Sequence, residues 1–171
     1  VPQKKTVLPN APAQETIYTI RTICPVPADL DRIREPLRQA LAGVFPQMED
    51  FTAFQTTLQQ PASDAPVVST EKRAMGFRFK TANGGHVAHF MLDGLVVNWV
   101  KTEYKGYEKS IAALTRYWQI YMEHFQPIAV DHVALRYINQ LQLPLEEKRG
   151  LSFKDYIKNG PNLPGIKGLA F

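Results

Sequence analysis

The chain has 171 residues, 44% of them hydrophobic and 11% aromatic, and a formal net charge of +4 at pH 7. That length and apolar content suffice for one domain with a sizeable core and exclude disorder over most of the chain. No apolar run reaches the roughly 20 residues needed to span a bilayer, which excludes an inserted helix.

In chain order, residues 1–15 hold three prolines and two lysines with no periodicity and read as an extended arm. Residues 16–24 alternate as a strand, with Tyr18, Ile20 and Cys24 on one face and Ile17, Arg21 and Ile23 on the other, until Pro25 and Pro27 end it. From Asp29 the residues Leu30, Ile33, Leu37, Leu41 and Val44 recur at helical spacing and predict a helix with one buried stripe. Pro36 either opens the main helix at its first position, after a separate first turn, or kinks a single helix; proline's preference for that position favours the first reading.

Phe51 to Leu58 suits a strand, and Gln60 to Ser69, with two prolines and two serines, suits a surface loop. Arg73 to Lys80 puts Phe77 and Phe79 opposite Arg78 and Lys80, and Asn83-Gly84-Gly85 turns the chain. His86 to Leu92, Asp93-Gly94, and Leu95 to Val100 predict a hairpin whose two-residue turn needs positive φ. Facing Leu92 with Leu95 pairs Phe90 with Val97 and Ala88 with Trp99 on one face, and Met91 with Val96, His89 with Asn98 and Val87 with Val100 on the other. Both faces are mainly apolar, so cover is expected on both, from helices on one and from a partner, ligand or further chain on the other.

A second helix starts near Tyr107 and carries Tyr107, Ile111, Leu114, Trp118, Tyr121, Met122 and Phe125 on one stripe, with Pro127 past its end. Val130 to Leu143 follows as a long strand that Pro144 ends, and Phe153 to Lys158 suits one helical turn. The pattern is α+β: a two-layer sandwich of a mainly antiparallel sheet of about six strands on two helices, in the order β-α-β-β-β-β-α-β. The strand-helix-strand unit at each end resembles split β-α-β folds. The domain plan is an arm over 1–15, a single domain over 16–145 and a basic, Gly- and Pro-containing tail over 146–171.

The charge is unevenly distributed. Lys148, Arg149, Lys154, Lys158 and Lys167 against Glu146, Glu147 and Asp155 give the tail +2, and Lys4 and Lys5 against Glu15 give the arm +1, leaving +1 for the body. A phosphate-binding surface would concentrate its cations, so solvated ends are the better account. The single cysteine, Cys24, cannot form an internal disulfide, and no charged-then-apolar leader opens the chain. The expectation is a cytoplasmic protein with a buried, reduced thiol.

Val133-Ala134-Leu135-Arg136-Tyr137-Ile138-Asn139 stands out as a strand that carries an arginine and an amide among hydrophobes. Together with Asp93-Gly94-Leu95-Val96-Val97-Asn98, with Tyr104, Tyr107 and Glu108 followed by Trp118 and Tyr121, and with Asp155, Tyr156, Pro161 and Pro164, it resembles a sporadically distributed bacterial family of uncharacterised proteins with an Arg-Tyr-Ile-Asn core. The matches cover about residues 70 to 165 and depart at Gln140, where the family commonly has a second arginine. The resemblance implies that Tyr137, Asn139, Trp118 and Tyr107 are structural, and it supplies no activity.

Alternation places Val133, Leu135, Tyr137, Asn139, Leu141 and Leu143 on one face of this strand, and His132, Ala134, Arg136, Ile138, Gln140 and Gln142 on the other. Asn139, among hydrophobes, is expected to be a buried amide capping a neighbouring loop or strand end in preference to contacting a ligand. Arg136 offers a planar fork for a carboxylate or phosphate, though an internal ion pair is the preferred reading. No metal signature, nucleophile elbow or phosphate loop occurs, so no catalytic set, metal or cofactor is predicted. The favoured function is a non-catalytic binding or protein-interaction module, working through the second sheet face around His89, Asn98, Met91, Val96, His132, Arg136 and Gln140, with a second copy as the simplest cover. The alternative is a nucleic-acid-associated factor using Lys72, Arg73, Arg78, Lys80 and the basic tail.

Overall fold

A computed structural model describes residues 13–24, 26–59 and 67–140. In chain order these form β1 (Ala13–Ile23), α1 (Leu30–Leu41), β2 (Gln47–Gln59), β3 (Val67–Lys80), β4 (His86–Met91), β5 (Gly94–Val100), α2 (Tyr107–Phe125) and β6 (Ala129–Asn139). The element order is the one expected, and the architecture is α+β. Residues 1–12 of the expected arm, 60–66 of the expected loop and the expected tail over 146–171 lie outside the described residues, as do Leu141 to Pro144.

The six strands form one sheet in the order β2-β3-β4-β5-β1-β6, with every neighbouring pair antiparallel. Strands β5 and β6 both oppose β1 and so run parallel to each other, with α2 joining them and β1 inserted between. That is a split β-α-β unit. Strands β2 to β5 form a meander, which needs only short turns.

Both helices lie on one face. Their buried side chains, Ile33, Leu37 and Leu41 of α1 and Tyr117, Tyr121 and Phe125 of α2, share a core with Tyr18, Phe77, Phe79, Ala88, Phe90, Leu95, Val97 and Trp99 of the sheet. Helix α1 is one continuous helix with Pro36 inside it, contrary to the preferred reading of a separate first turn. Proline there removes the amide that the Arg32 carbonyl would accept. Compensation comes from the Asp29 side chain, which caps the helix by accepting from the Arg32 amide at 3.2 Å, and from Arg34, which pairs with Asp50 at 2.8 Å and lies 5.0 Å over the Phe77 ring. Arg34 thereby fixes α1 above β2 and β3.

The stripe of α2 is rotated from the expected one. Ser110, Tyr117, Tyr121 and Phe125 are buried, Trp118 is half-buried, and Tyr107 and Met122 are exposed. Tyr121 is the anchor, stacked between Phe125 at 4.5 Å and Trp118 at 5.4 Å. Its hydroxyl donates to the Met91 carbonyl at 3.0 Å and accepts from the Thr22 hydroxyl at 2.8 Å, which ties α2 to β4 and β1. Tyr117, absent from the expected stripe, is buried with Tyr121, while Trp118 packs against the margin of the core.

The hairpin β4–β5 forms, with a register two residues away from the expected one. His86 opposes Trp99, Ala88 opposes Val97, Phe90 opposes Leu95 and Met91 opposes Gly94, so the turn is Leu92-Asp93 and not Asp93-Gly94. A two-residue slip leaves every side chain on its own face, which is why the expected faces hold although the expected partners do not. Positive φ is carried by Gly94 alone, at 150°, where an added Cβ would sit 2.2 Å from the Ile20 carbonyl. Close approach of β1, fastened by the Thr22 amide on the Asp93 carbonyl at 2.9 Å, thus fixes both the glycine and the register. Strands β2 and β3 are longer than expected, and Val67 to Ser69, expected as loop, open β3. Cys24, expected buried, is half-buried, with its Sγ 3.7 Å from the Thr22 hydroxyl.

Replacing Tyr121 by Phe keeps the stacking and removes the hydroxyl, leaving the buried Met91 carbonyl and Thr22 hydroxyl without this partner. Urea denaturation of Tyr121→Phe is expected to show a loss of about 1–3 kcal/mol, against near-neutrality for a hydroxyl exposed to water. A variant as stable as the parent would show that this bond does not anchor α2.

Candidate interaction surface

The second sheet face, the expected working surface, carries no helix among the described residues. Register places Glu49, Arg78, His89, Val96, Thr19 and Ala134 in one row across it, and Gln47, Lys80, Val87, Asn98, Ile17 and Arg136 in the next. Neighbouring strands are about 4.8 Å apart, so Asn98 and Arg136 stand about 10 Å apart, and His89 lies about 14 Å from β6. The residues expected to act together share a face without converging.

Each is occupied locally. The His89 ring meets Phe51 edge-on at 5.2 Å, and the Arg78 guanidinium lies 5.6 Å over that same Phe51 ring. Gly76, opposite Phe51, has φ of 144° and lies so close to β4 that a Cβ there would sit 2.0 Å from the Phe90 carbonyl. Burial first, then Arg78, pushes His89 down to about 4, so the ring is neutral. The Asn98 amide donates to the Glu15 carboxylate, Arg21 pairs with Asp93, and Glu49 pairs with Lys80 and with Arg78 at 4.0 Å. Val87, Val96, Ile17 and Thr19 are half-buried and Met91 is buried. Interlocked polar and aromatic side chains thus shield this face. Glu49 likewise engages two of the four cations expected on the basic hairpin, leaving Lys72 and Arg73 exposed.

Apolar exposure lies elsewhere, on β6. This strand pairs only with β1 among the described residues, and no described strand lies along its outer edge. Tyr137, Leu135, Val133 and Val130 oppose Thr16, Tyr18, Ile20 and Thr22 and share their helix-side face, yet Val133 is 68% exposed, Leu135 43% and Tyr137 42%. The flank of α2 turned away from α1 continues this surface with Ile111, Trp118 and Met122, since the opposite flank, through His124, borders a cavity shared with Arg32, Ile33 and Pro36. The result is an apolar ledge. At its end the Tyr104 and Tyr137 hydroxyls approach to 3.4 Å, and this bond, with burial, pushes Tyr137 up to about 12.

On the other face of β6, His132 opposes Arg21 and Arg136 opposes Ile17, and both are exposed. Neither forms an ion pair among the described residues, so the internal clamp preferred for Arg136 is not found there. Asn139 is exposed instead of buried, and no described helix covers that end of β6. Gln140 lies just past the strand and is also exposed. His132 and Arg136 thus sit on the face opposite the ledge.

The ledge was hidden in the sequence because Val133, Leu135 and Tyr137 alternate as core residues do. Counting helices against strands is the signal that exposes it, since two helices about 10 Å wide cover about four strands at 4.8 Å spacing, and this sheet has six. No helix of the described residues is long and apolar enough to cross a membrane. No cluster of three or more His, Cys, Asp or Glu is placed to hold a metal among them. No family model, curated protein or solved structure matches the chain.

His86 and His89 give the fold a pH dependence. Burial holds both rings near 4 against an ordinary 6.5, so between those values the unfolded chain binds the extra protons and stability falls as pH falls. Glu35 and Glu49, held below their ordinary 4.5 mainly by hydrogen bonds from Arg38 and Lys80, act in the same direction only at lower pH. The melting temperature is expected to drop from about pH 6.5 to about pH 5, and less steeply in His89→Leu. A flat profile, or equal slopes for parent and variant, would show that His89 is not buried as the neutral ring.

Proposed function

We infer that the chain is a non-catalytic interaction module that associates with a second copy of itself through β6. The observation that carries this reading is the ledge: an 11-residue strand at the edge of the described sheet, with an exposed row of apolar side chains. Edges of this kind are ordinarily blunted by lysine, proline or short length. Ala129–Asn139 contains neither lysine nor proline. Its β-bulge, at Asp131, lies near one end and leaves residues 132 to 138 regular.

The same segment suits an antiparallel copy of itself. With the two-fold axis at Leu135, Leu135 meets Leu135, Val133 meets Tyr137, Ala134 meets Arg136 and His132 meets Ile138. No like charges oppose each other, and apolar residues meet on the ledge side. Pairing also satisfies backbone donors and acceptors that otherwise face water, and it joins two ledges into one. The kinship with the sporadically distributed bacterial family belongs to the same proposal and rests on its four short motifs, one of which is this strand.

Sedimentation velocity of the full chain tests the reading. A dimer at micromolar concentration is expected, with little sensitivity to added salt because the contact is apolar and backbone-mediated. Leu135→Lys should give a monomer whose circular dichroism matches the parent, since the side chain is largely exposed and its ammonium would meet its own copy on the axis. A parent chain that is monomeric at high micromolar concentration overturns the proposal, as does a Leu135→Lys variant that remains dimeric.

A further inference from the structure

The start of α2 and the near end of the hairpin enclose a second feature, unrelated to the ledge. A cavity of about 260 Å³ is lined by His86, Trp99, Glu103, Lys105, Lys109 and Ser110, with Ala113 and Tyr117. His86 is only 7% exposed, and its Nε2 is buried without a hydrogen-bond partner among the described residues. The imidazole stacks on Trp99 with centroids 4.5 Å apart and planes at 19°, and Tyr117 and Phe45 lie 5.7 and 4.7 Å from it. The cross-strand pairing of His86 with Trp99 builds this wall. A buried polar atom left unpaired ordinarily costs free energy, so an orphaned imidazole nitrogen in a cavity wall points to a missing partner.

The opposite side of the cavity is electropositive. Gly106 supplies no capping side chain to α2, so the first amides of a 19-residue helix face outward, and Lys105 and Lys109 flank them. The Ser110 hydroxyl is committed to the Gly106 carbonyl at 3.0 Å. The one acidic side chain of the lining, Glu103, accepts from the Asn83 amide at 2.8 Å. A flat aromatic wall thus faces a cationic rim within one small space.

We propose that this cavity binds a small planar aromatic carboxylate, its ring against Trp99 and Tyr117, its carboxylate at the α2 N-terminus with Lys105 and Lys109, and a polar ring substituent on His86 Nε2. At about 260 Å³ the space lies just below the about 300–1,000 Å³ of pockets for drug-sized ligands, which fits a single substituted ring. Burial keeps the imidazole neutral, down to about 4, so it adds hydrogen bonding without adding charge.

The chain has two tryptophans, and Trp118 lies away from the cavity, so the two indole N–H resonances report on the site and on the fold separately. Titration of the full-length chain with 4-hydroxybenzoate, followed by proton–nitrogen correlation spectra, is expected to move the Trp99 indole resonance saturably at millimolar ligand or below and to leave Trp118 in place. Affinity should fall at least about tenfold in Lys109→Gln, whose unchanged Trp118 resonance certifies the fold, and for the uncharged analogue 4-hydroxybenzyl alcohol. Phenol, which lacks the carboxylate altogether, should bind no better than the alcohol. No saturable shift of Trp99, equal shifts at both tryptophans, or an affinity that ignores both Lys109→Gln and the loss of the carboxylate would each overturn the proposal.

Discussion

Two helices cannot cover six strands. Helices pack about 10 Å apart and strands about 4.8 Å apart, so one helical layer of two members falls short of the width of six strands. In this fold α1 is pinned over β2 and β3 by Arg34, and α2 over β4, β5 and β1 by the Tyr121 hydroxyl. Among the described strands, β6 comes last in the chain and outermost in the sheet, and its side chains are the ones left exposed. Its exposed apolar face and its exposed asparagine follow from that placement and not from any peculiarity of its composition.

The second face of the sheet illustrates the other way to shield a strand surface. With no described helix above it, the face is shielded by its own side chains: His89 against Phe51, Arg78 over Phe51 and toward Glu49, and Asn98 to Glu15. Interactions of this kind hold long polar stems flat along the sheet and shield the methyl and methylene groups beneath them. An apolar pattern on two faces can thus be met in part by the side chains of the sheet itself.

Much of the fold was legible in the sequence, because it depends on local periodicity. Strand alternation placed Phe77, Phe79, Phe90, Leu95, Val97 and Trp99 on the core face, and the asparagine- and aspartate-containing turns separated the strands along the chain. What escaped depended on contacts between distant segments. The slip of two residues in the hairpin comes from β1 pressing against Gly94, and the uninterrupted α1 comes from tertiary anchoring that outweighs the cost of Pro36. The rotation of α2 toward Tyr117 and Tyr121 follows from the position of the hydroxyl partners on β1 and β4. The candidate surfaces were harder still. Val133 and Leu135 are indistinguishable from core residues until strand order is known, and the pairing of His86 with Trp99 requires the register.

Amide hydrogen exchange along β6, measured on the full chain across a range of protein concentrations, probes the proposed edge directly. Amides of β6 that point away from β1 have no partner among the described residues, and protection that depends on protein concentration would come from a second copy. If β6 pairs with its own copy, alternate amides around Leu135 slow as concentration rises through the dimerisation range, while those bonded to β1 stay protected throughout. Exchange of the outward amides at one fast rate, whatever the concentration, would contradict the account.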